Sequence, residues 1–177
     1  MQSRLLPLLL SGLISLCPLT APAAPGVSAG FSPEGTAQTL VLNVIDGATQ
    51  QIRLAGYSFT APDIVQALIR ARARGVDVKV VLDEKGNRSK TSRAAMNLLV
   101  SHGIPVRLNS RYAILHDKTL VTDGRTVQTG SLNYTLSGER RNSENVLVIR
   151  DMPELAALYL AHWQSRWEGG DDYRLPY

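Results

Sequence analysis

The chain has 177 residues, 44% hydrophobic and 6% aromatic, with 19 Lys and Arg against 15 Asp and Glu for a net charge of +4. That is enough for one domain with a sizeable core, and a charge so close to balance does not by itself mark a nucleic-acid binder. The single cysteine, Cys17, excludes a disulfide framework. Met1–Arg4 is a short basic start, Leu5–Leu16 an apolar run and Ala21-Pro22-Ala23 an A-x-A cleavage pattern, so residues 1–23 read as a secretory signal peptide. It is too short to span a membrane comfortably. A lipoprotein signal at Cys17 is disfavoured because bulky Leu16 stands where a small residue is expected. The expected product is one soluble domain, 24–177, periplasmic or secreted, without stable membrane association and with no thiol; 18 basic residues then face 15 acidic ones, a net +3.

Apolar residues from Ala37 to Ala48 recur at helical spacing, so Pro33–Thr49 reads as a helix with Ser32 as cap and Pro33 at its first position. Gln51–Ser58 reads as a strand. A second helix opens at Thr60-Ala61-Pro62-Asp63 and runs to Arg74, stopped by Gly75. Val76–Leu82 is a buried strand, Lys90–Ser101 a third helix and Ile104–Arg107 a short strand. Two strands, Tyr112–Thr122 and Arg125–Ser131, flank the hairpin signal Asp123-Gly124. Asn145–Ile149 follows as a strand, and Pro153–Trp167 as an amphipathic helix with Leu155, Leu158, Tyr159, His162 and Trp163 on one face. Strand–helix alternation implies parallel strands and the hairpin adds antiparallel pairing. The expected fold is α/β: one domain, a mixed sheet with helices on both faces.

The chemistry concentrates in Ile114–Asn133. His116, Lys118 and Asp123 stand at H-x-K-x4-D spacing, followed by Gly130, Ser131 and Asn133 as G-S-x-N. Alternation along a strand puts His116 and Lys118 on one face and turns Asp117 to the other, and pairing across the turn brings Ser131 and Asn133 toward them. A neutral imidazole is a nucleophile near neutral pH. Lys118 supplies a point charge for non-bridging phosphate oxygens, and Ser131 and Asn133 add neutral donors. The set lacks the paired carboxylates of a two-metal site and the Gly-rich loop of a P-loop. Asp83-Glu84 reads as a turn with Gly86 rather than as a metal site. Asn87 and Asn133 fit glycosylation sequons, which we discount because a glycan on Asn133 would block the phosphate site. Of the basic residues between Arg70 and Arg93, the Lys85–Arg93 loop is favoured as a DNA contact, together with Arg140-Arg141.

H-x-K-x4-D followed by G-S-x-N resembles the signature of the phospholipase D superfamily. F-S-P-E-G at Phe31–Gly35, Y-S-F-T-A-P-D-I at Tyr57–Ile64, R-G-V-D-V-K at Arg74–Lys79, N-S-E-N at Asn142–Asn145 and H-W-Q-x-R-W at His162–Trp167 resemble its small secreted bacterial endonucleases, over about Gly30 to Tyr173. The resemblance implies that His116 is the nucleophile of a phosphohistidine intermediate and that Lys118, Ser131 and Asn133 bind phosphate. It implies that Glu144 hydrogen-bonds the His116 imidazole, that Asp123 and Gly130 are structural, and that no metal or other cofactor takes part. A carboxylate on one ring nitrogen fixes the tautomer and stabilises the charged ring, which suits the role given to Glu144.

Displacement at phosphorus holds the attacking and leaving groups roughly in line, so a histidine on one side cannot protonate a leaving group on the other. Only His116 has the required context; His102 reads as a helix cap and His162 as packing or surface. The expectation is an isologous homodimer with the site on its axis. The expected activity is a metal-independent, non-specific endonuclease acting on DNA, with RNA as a further substrate. The alternatives are a secreted phospholipase D or transphosphatidylase, and a non-catalytic nucleic-acid-binding module.

Overall fold

The computed structural model describes residues 25–175, so the signal peptide read at 1–23 lies outside the described residues. They form a mixed eight-stranded sheet with helices on both faces, in a single domain. In chain order the elements are β1 (Gly26–Ser32), α1 (Thr36–Asp46), β2 (Gln51–Gly56), α2 (Pro62–Ala73), β3 (Asp77–Asp83), a 3-10 turn (Lys85–Asn87), α3 (Lys90–Ser101), β4 (Val106–Asn109), β5 (Lys118–Thr122), β6 (Thr126–Gly130), α4 (Leu136–Arg140), β7 (Glu144–Arg150), α5 (Pro153–Glu168) and β8 (Asp171–Asp172). The spatial order is β1-β7-β6-β5-β2-β3-β4-β8. Only β2, β3 and β4 run parallel to their neighbours in that group; the other pairings are antiparallel.

Local signals set the helices. Pro62 sits in the first turn of α2 with Asp63, and Arg70 and Arg72 lie in its last turn, the charge order a helix dipole favours. Ser89 caps α3 by accepting from the Ser92 N–H at 3.0 Å, and His102 closes it, its Nδ1 2.8 Å from Leu98 O. The carboxyl-end halves of β2 and β3 are buried on both faces because they are covered twice, while Arg53, Asp77 and Lys79 make the start of the α5 face polar. Ile52, Leu54, Val78 and Val80 pack with α1, α2 and α3, while Ala55 and Val81 pack under α5 with Leu115 and Trp163. Trp163 also donates its indole N–H to Leu54 O at 2.9 Å, which fastens α5 to the sheet centre.

Four expectations need correction. The first helix does not begin at Pro33 with a Ser32 cap: it begins at Thr36 after Gly35, which takes a left-handed φ of 88°, and it ends at Asp46. Ser32 instead ends β1, where its buried hydroxyl donates to Gly138 O at 2.7 Å. β1 escapes a pattern search because its inward positions are Gly26, Ser28, Gly30 and Ser32. Gly30 is required there, since a Cβ would lie 2.7 Å from Thr36 O. β5 starts at Lys118 rather than Tyr112, because its partner β2 ends at Gly56, opposite Lys118, and residues before 118 have no strand to pair with. The inward face of α5 is Leu155, Ala156, Tyr159, Leu160, Trp163 and Trp167, so Leu155, Tyr159 and Trp163 stand as expected while Leu158 is 70% exposed.

Candidate active site

The site lies at the carboxyl ends of β2 and β3, the position that α/β sheets offer to ligands. Asp83 ends β3 and is almost fully buried. It is the pivot of a turn, as its spacing to Gly86 suggests: Oδ2 accepts from the Gly86 N–H at 3.1 Å. Oδ1 accepts from the Leu115 N–H at 3.0 Å, which fixes the backbone one residue before His116.

His116 is exposed on that pinned segment, its ring 4.9 Å from that of Tyr57 and tilted by 58°. It borders an open cavity of about 260 Å³ lined also by Tyr112, Ile114, Leu115, Asp117 and Arg166. Lys118 is only 6% exposed. Its Nζ donates to His116 O at 2.8 Å and lies 5.4 Å from the Tyr57 ring centre. Burial holds its ammonium below the usual lysine range, while the charges of Asp117 and Glu144 act the other way. The expected reversal of Asp117 is found: its carboxylate lies on the α5 side, 3.1 Å from His162 Nε2. That pair borders a second cavity of about 340 Å³, with Thr119, Thr129, Leu158 and Tyr159.

Gly130 closes β6 in a conformation that needs glycine, with φ at 148° and Asn145 O only 2.2 Å from where a Cβ would be. That approach lets the Ser131 N–H donate to Asn145 O at 3.0 Å. The Ser131 hydroxyl donates to Glu144 Oε2 at 2.5 Å and accepts from the Asn145 N–H at 3.0 Å. Glu144 also accepts from the Asn142 side chain at 3.0 Å. Within one chain, therefore, Glu144 is bonded to Ser131 and Asn142 and makes no hydrogen bond to His116. Asn133 follows with its buried Oδ1 unpaired.

Asp123 stands apart from these groups, in the β5–β6 turn at the far end of the hairpin, with a left-handed φ of 53°. Its carboxylate accepts from Thr49 N–H and O–H at 2.9 Å and from Gln50 and Gln51 N–H at 2.8 and 2.9 Å. Burial raises its pKa, but the bonds from Gln51, Thr49 and Gln50 together hold it below the ordinary carboxylate range.

Much of the basic stretch is consumed internally: Arg70 and Arg74 pair with Asp46, Lys79 with Asp77 and Arg88 with Glu84. Lys85, Arg93, Arg140 and Arg141 form no ion pair among the described residues. Lys85 reaches Ala113 O at 3.5 Å, beside the His116 segment. Among the described residues no three His, Cys, Asp or Glu side chains gather as a metal site requires, and no helix is long and apolar enough to cross a membrane. Sequence reasoning missed Tyr57 and the Asp117–His162 pair. Tyr57 had a local signal, as the first residue of the Tyr57–Ile64 motif, but was given no role in the site; the pair had none, because its members are 45 residues apart.

Residues 41–167 match the family described as "Cardiolipin synthase, PLD-like domain". The structure superposes on a crystal structure of the phospholipase D family member Nuc of Salmonella typhimurium with a TM-score of 0.85 and 54% identity, covering 85% of this chain and 99% of that one. The chain is 36% identical over 140 residues to a phospholipase D of Rickettsia conorii, covering 79% of this chain and 68% of that protein. It is 30% identical over 154 residues to the human mitochondrial cardiolipin hydrolase, covering 82% of this chain and 60% of that protein.

Proposed function

Because this chain belongs to the phospholipase D superfamily, whose enzymes are of the phosphodiesterase type, we propose that it is an endonuclease that cleaves DNA, and RNA as a further substrate, without a metal ion. The observation that carries this reading is the exposed His116, whose backbone carbonyl accepts from the buried Lys118 ammonium, with the imidazole and the ammonium both beside the Tyr57 ring. In the proposed reaction His116 attacks phosphorus and a phosphohistidine forms as the P–O bond breaks. The His116 imidazolium of a second copy gives its proton to the leaving oxygen. Water then attacks the phosphohistidine, its proton passing to that second imidazole, and His116 is released. Lys118, with the Ser131–Asn133 segment, holds the non-bridging oxygens as their charge grows. Glu144, placed to orient Ser131, takes up the His116 ring when substrate binds. The free cations Lys85, Arg93, Arg140 and Arg141 suit a phosphate backbone.

The second copy has a surface that suits it. The outward positions of the β1–β7 ribbon are Val27, Ala29 and Phe31 beside Asn145, Leu147 and Ile149, and among the described residues all but the half-buried Ile149 are exposed. Val27 is 67% exposed, Phe31 52% and Leu147 40%. A contiguous apolar sheet face of this kind marks an interaction site. Leu147→Arg is expected to give a monomer in light scattering with an unchanged melting temperature; an unaltered dimer would reject this face. We place the enzyme in the periplasm or outside the cell, on the signal pattern of Met1–Ala23, which N-terminal sequencing of the exported protein tests.

A phospholipase reading is favoured by the names of the Rickettsia and human relatives and by Tyr112 and Ile114, both exposed beside His116. One experiment separates the two. Plasmid, single-stranded DNA, phosphatidylcholine and cardiolipin are each offered to wild type and His116→Ala in excess EDTA. Cleavage of DNA by wild type alone supports the nuclease. Hydrolysis of lipid without DNA cleavage rejects it.

A further inference from the structure

Glu139 takes no part in the chemistry above, yet it is the most enclosed acid among the described residues. It is 1% exposed, and as a carboxylate neither of its oxygens has a hydrogen-bond donor among the described residues. It lies on α4, the short helix that follows Asn133 and Tyr134. Its neighbour is Asp63 in the first turn of α2, whose carboxylate already accepts from the Ile64 N–H at 2.8 Å and from the Gln38 side chain. Two ionised carboxylates repel and cannot hydrogen-bond, so this contact exists only with a proton between them.

We propose that Glu139 is a positioning residue: an un-ionised acid whose O–H donates to the Asp63 carboxylate and so clamps the Ser131–Asn133 segment against α2. This rests on the reading that the segment holds the substrate phosphate. The connections around the clamp are short. Thr60 and Ala61 N–H both donate to Tyr134 O, at 2.8 and 3.0 Å. The Thr135 hydroxyl accepts from the Gly138 N–H at 3.0 Å, and Ser32 on β1 donates to Gly138 O. The segment from Tyr134 to Gly138 is thus tied to the residues that lead into α2 at one end and to β1 at the other, and the Glu139–Asp63 contact is the tie that a change of charge breaks. The charged groups facing Glu139 are Asp63 from α2 and Arg140 from its own helix; α1 offers the neutral Gln38.

Burial, then the hydrogen bond and charge of Asp63, push the Glu139 carboxyl up to about 8, with Arg140 opposing. The folded chain therefore keeps a proton that the unfolded chain releases above the ordinary glutamate value of 4.5. Stability from this acid is complete below that value, declines as pH rises and is gone above about 8.

The test is the pH profile of kcat for DNA cleavage from about pH 6 to about pH 10, with wild type, Glu139→Gln and Glu139→Ala. Gln keeps a donor for Asp63 and cannot ionise. Wild-type kcat is expected to fall by roughly tenfold per pH unit above the Glu139 pKa, while Glu139→Gln holds its rate across that range and Glu139→Ala is slow throughout. Lys118 also titrates on the alkaline side, so only a limb that moves with the Gln substitution belongs to Glu139. A limb shared by wild type and Glu139→Gln overturns the proposal. Carboxyl-carbon NMR of glutamate-labelled wild type decides even if the variants do not fold. One glutamate still protonated near neutral pH supports the clamp, and none overturns it. An inactive wild type with that signal present would defeat the nuclease reading and leave the protonated pair standing.

Discussion

Replacing Asp123 should cost stability and leave chemistry alone, because its carboxylate holds the β5–β6 turn to the start of β2 and lies at the far end of the hairpin from His116. Four donors converge on it, from Thr49, Gln50 and Gln51. Thr49 and Gln50 are exposed, so water satisfies most of these donors once the carboxylate is gone, and the net loss is about 0.5 kcal/mol per bond, or about 2 kcal/mol together. Asp123→Ala also puts a β-carbon without a compensating polar group in the left-handed region, adding about 1 kcal/mol. The sum of about 3 kcal/mol corresponds to a fall of roughly 6–12 °C in Tm for a domain of this size. Asp123→Asn tolerates the backbone and keeps one acceptor oxygen, so its loss should be nearer 1 kcal/mol, or roughly 2–4 °C. The wild-type advantage over Ala should be complete above the ordinary aspartate value of 3.8 and shrink as pH falls through the lower folded value. Calorimetric melts across that range, with cleavage rates taken well below each Tm, make the assay. An unchanged Tm in Asp123→Ala, or a collapse of kcat in a protein that melts normally, refutes the reasoning.

Lys118→Met exchanges a buried ammonium for an apolar chain of similar length, so kcat should fall by roughly a hundredfold or more while Tm holds or rises; a change confined to KM would contradict its role with the transition state. Tyr134→Phe removes the 2.8 Å bond to Gln128 Oε1 and strands an amide whose Nε2 is already unpaired, a loss of about 1–3 kcal/mol to be read from the denaturant midpoint. Gly130→Ala drives a methyl group into Asn145 O and should cost about 2 kcal/mol or more, with cleavage falling too because Ser131 and Asn145 are parted; a variant that melts like wild type would deny the tight approach.

Several elements were legible because their signals are local. Pro62, Ser89 and Pro153 each stand within a residue of where α2, α3 and α5 begin, and Asp123-Gly124 marks the turn it makes. β1 was not legible, because glycines and serines fill its inward positions and only its pairing with β7 makes it a strand. The α5 face was misread around Leu158, since periodicity shows that a helix has an apolar side and the sheet beneath it decides which residues are covered.

The sequence by itself determined the family and the α/β class, and it singled out His116, Lys118, Asp123, Ser131, Asn133 and Glu144 as candidates, because these sit within two short stretches at fixed spacing. Tertiary structure alone decided what each of them touches. Glu144 bonds to Ser131 and Asn142 instead of His116, Asp117 meets His162, and Glu139 is closed in against Asp63. Spacing along the chain specifies which groups are present. Burial, charge and hydrogen bonding depend on neighbours that are remote in sequence, and these arrive only when the sheet and its helices close over one another.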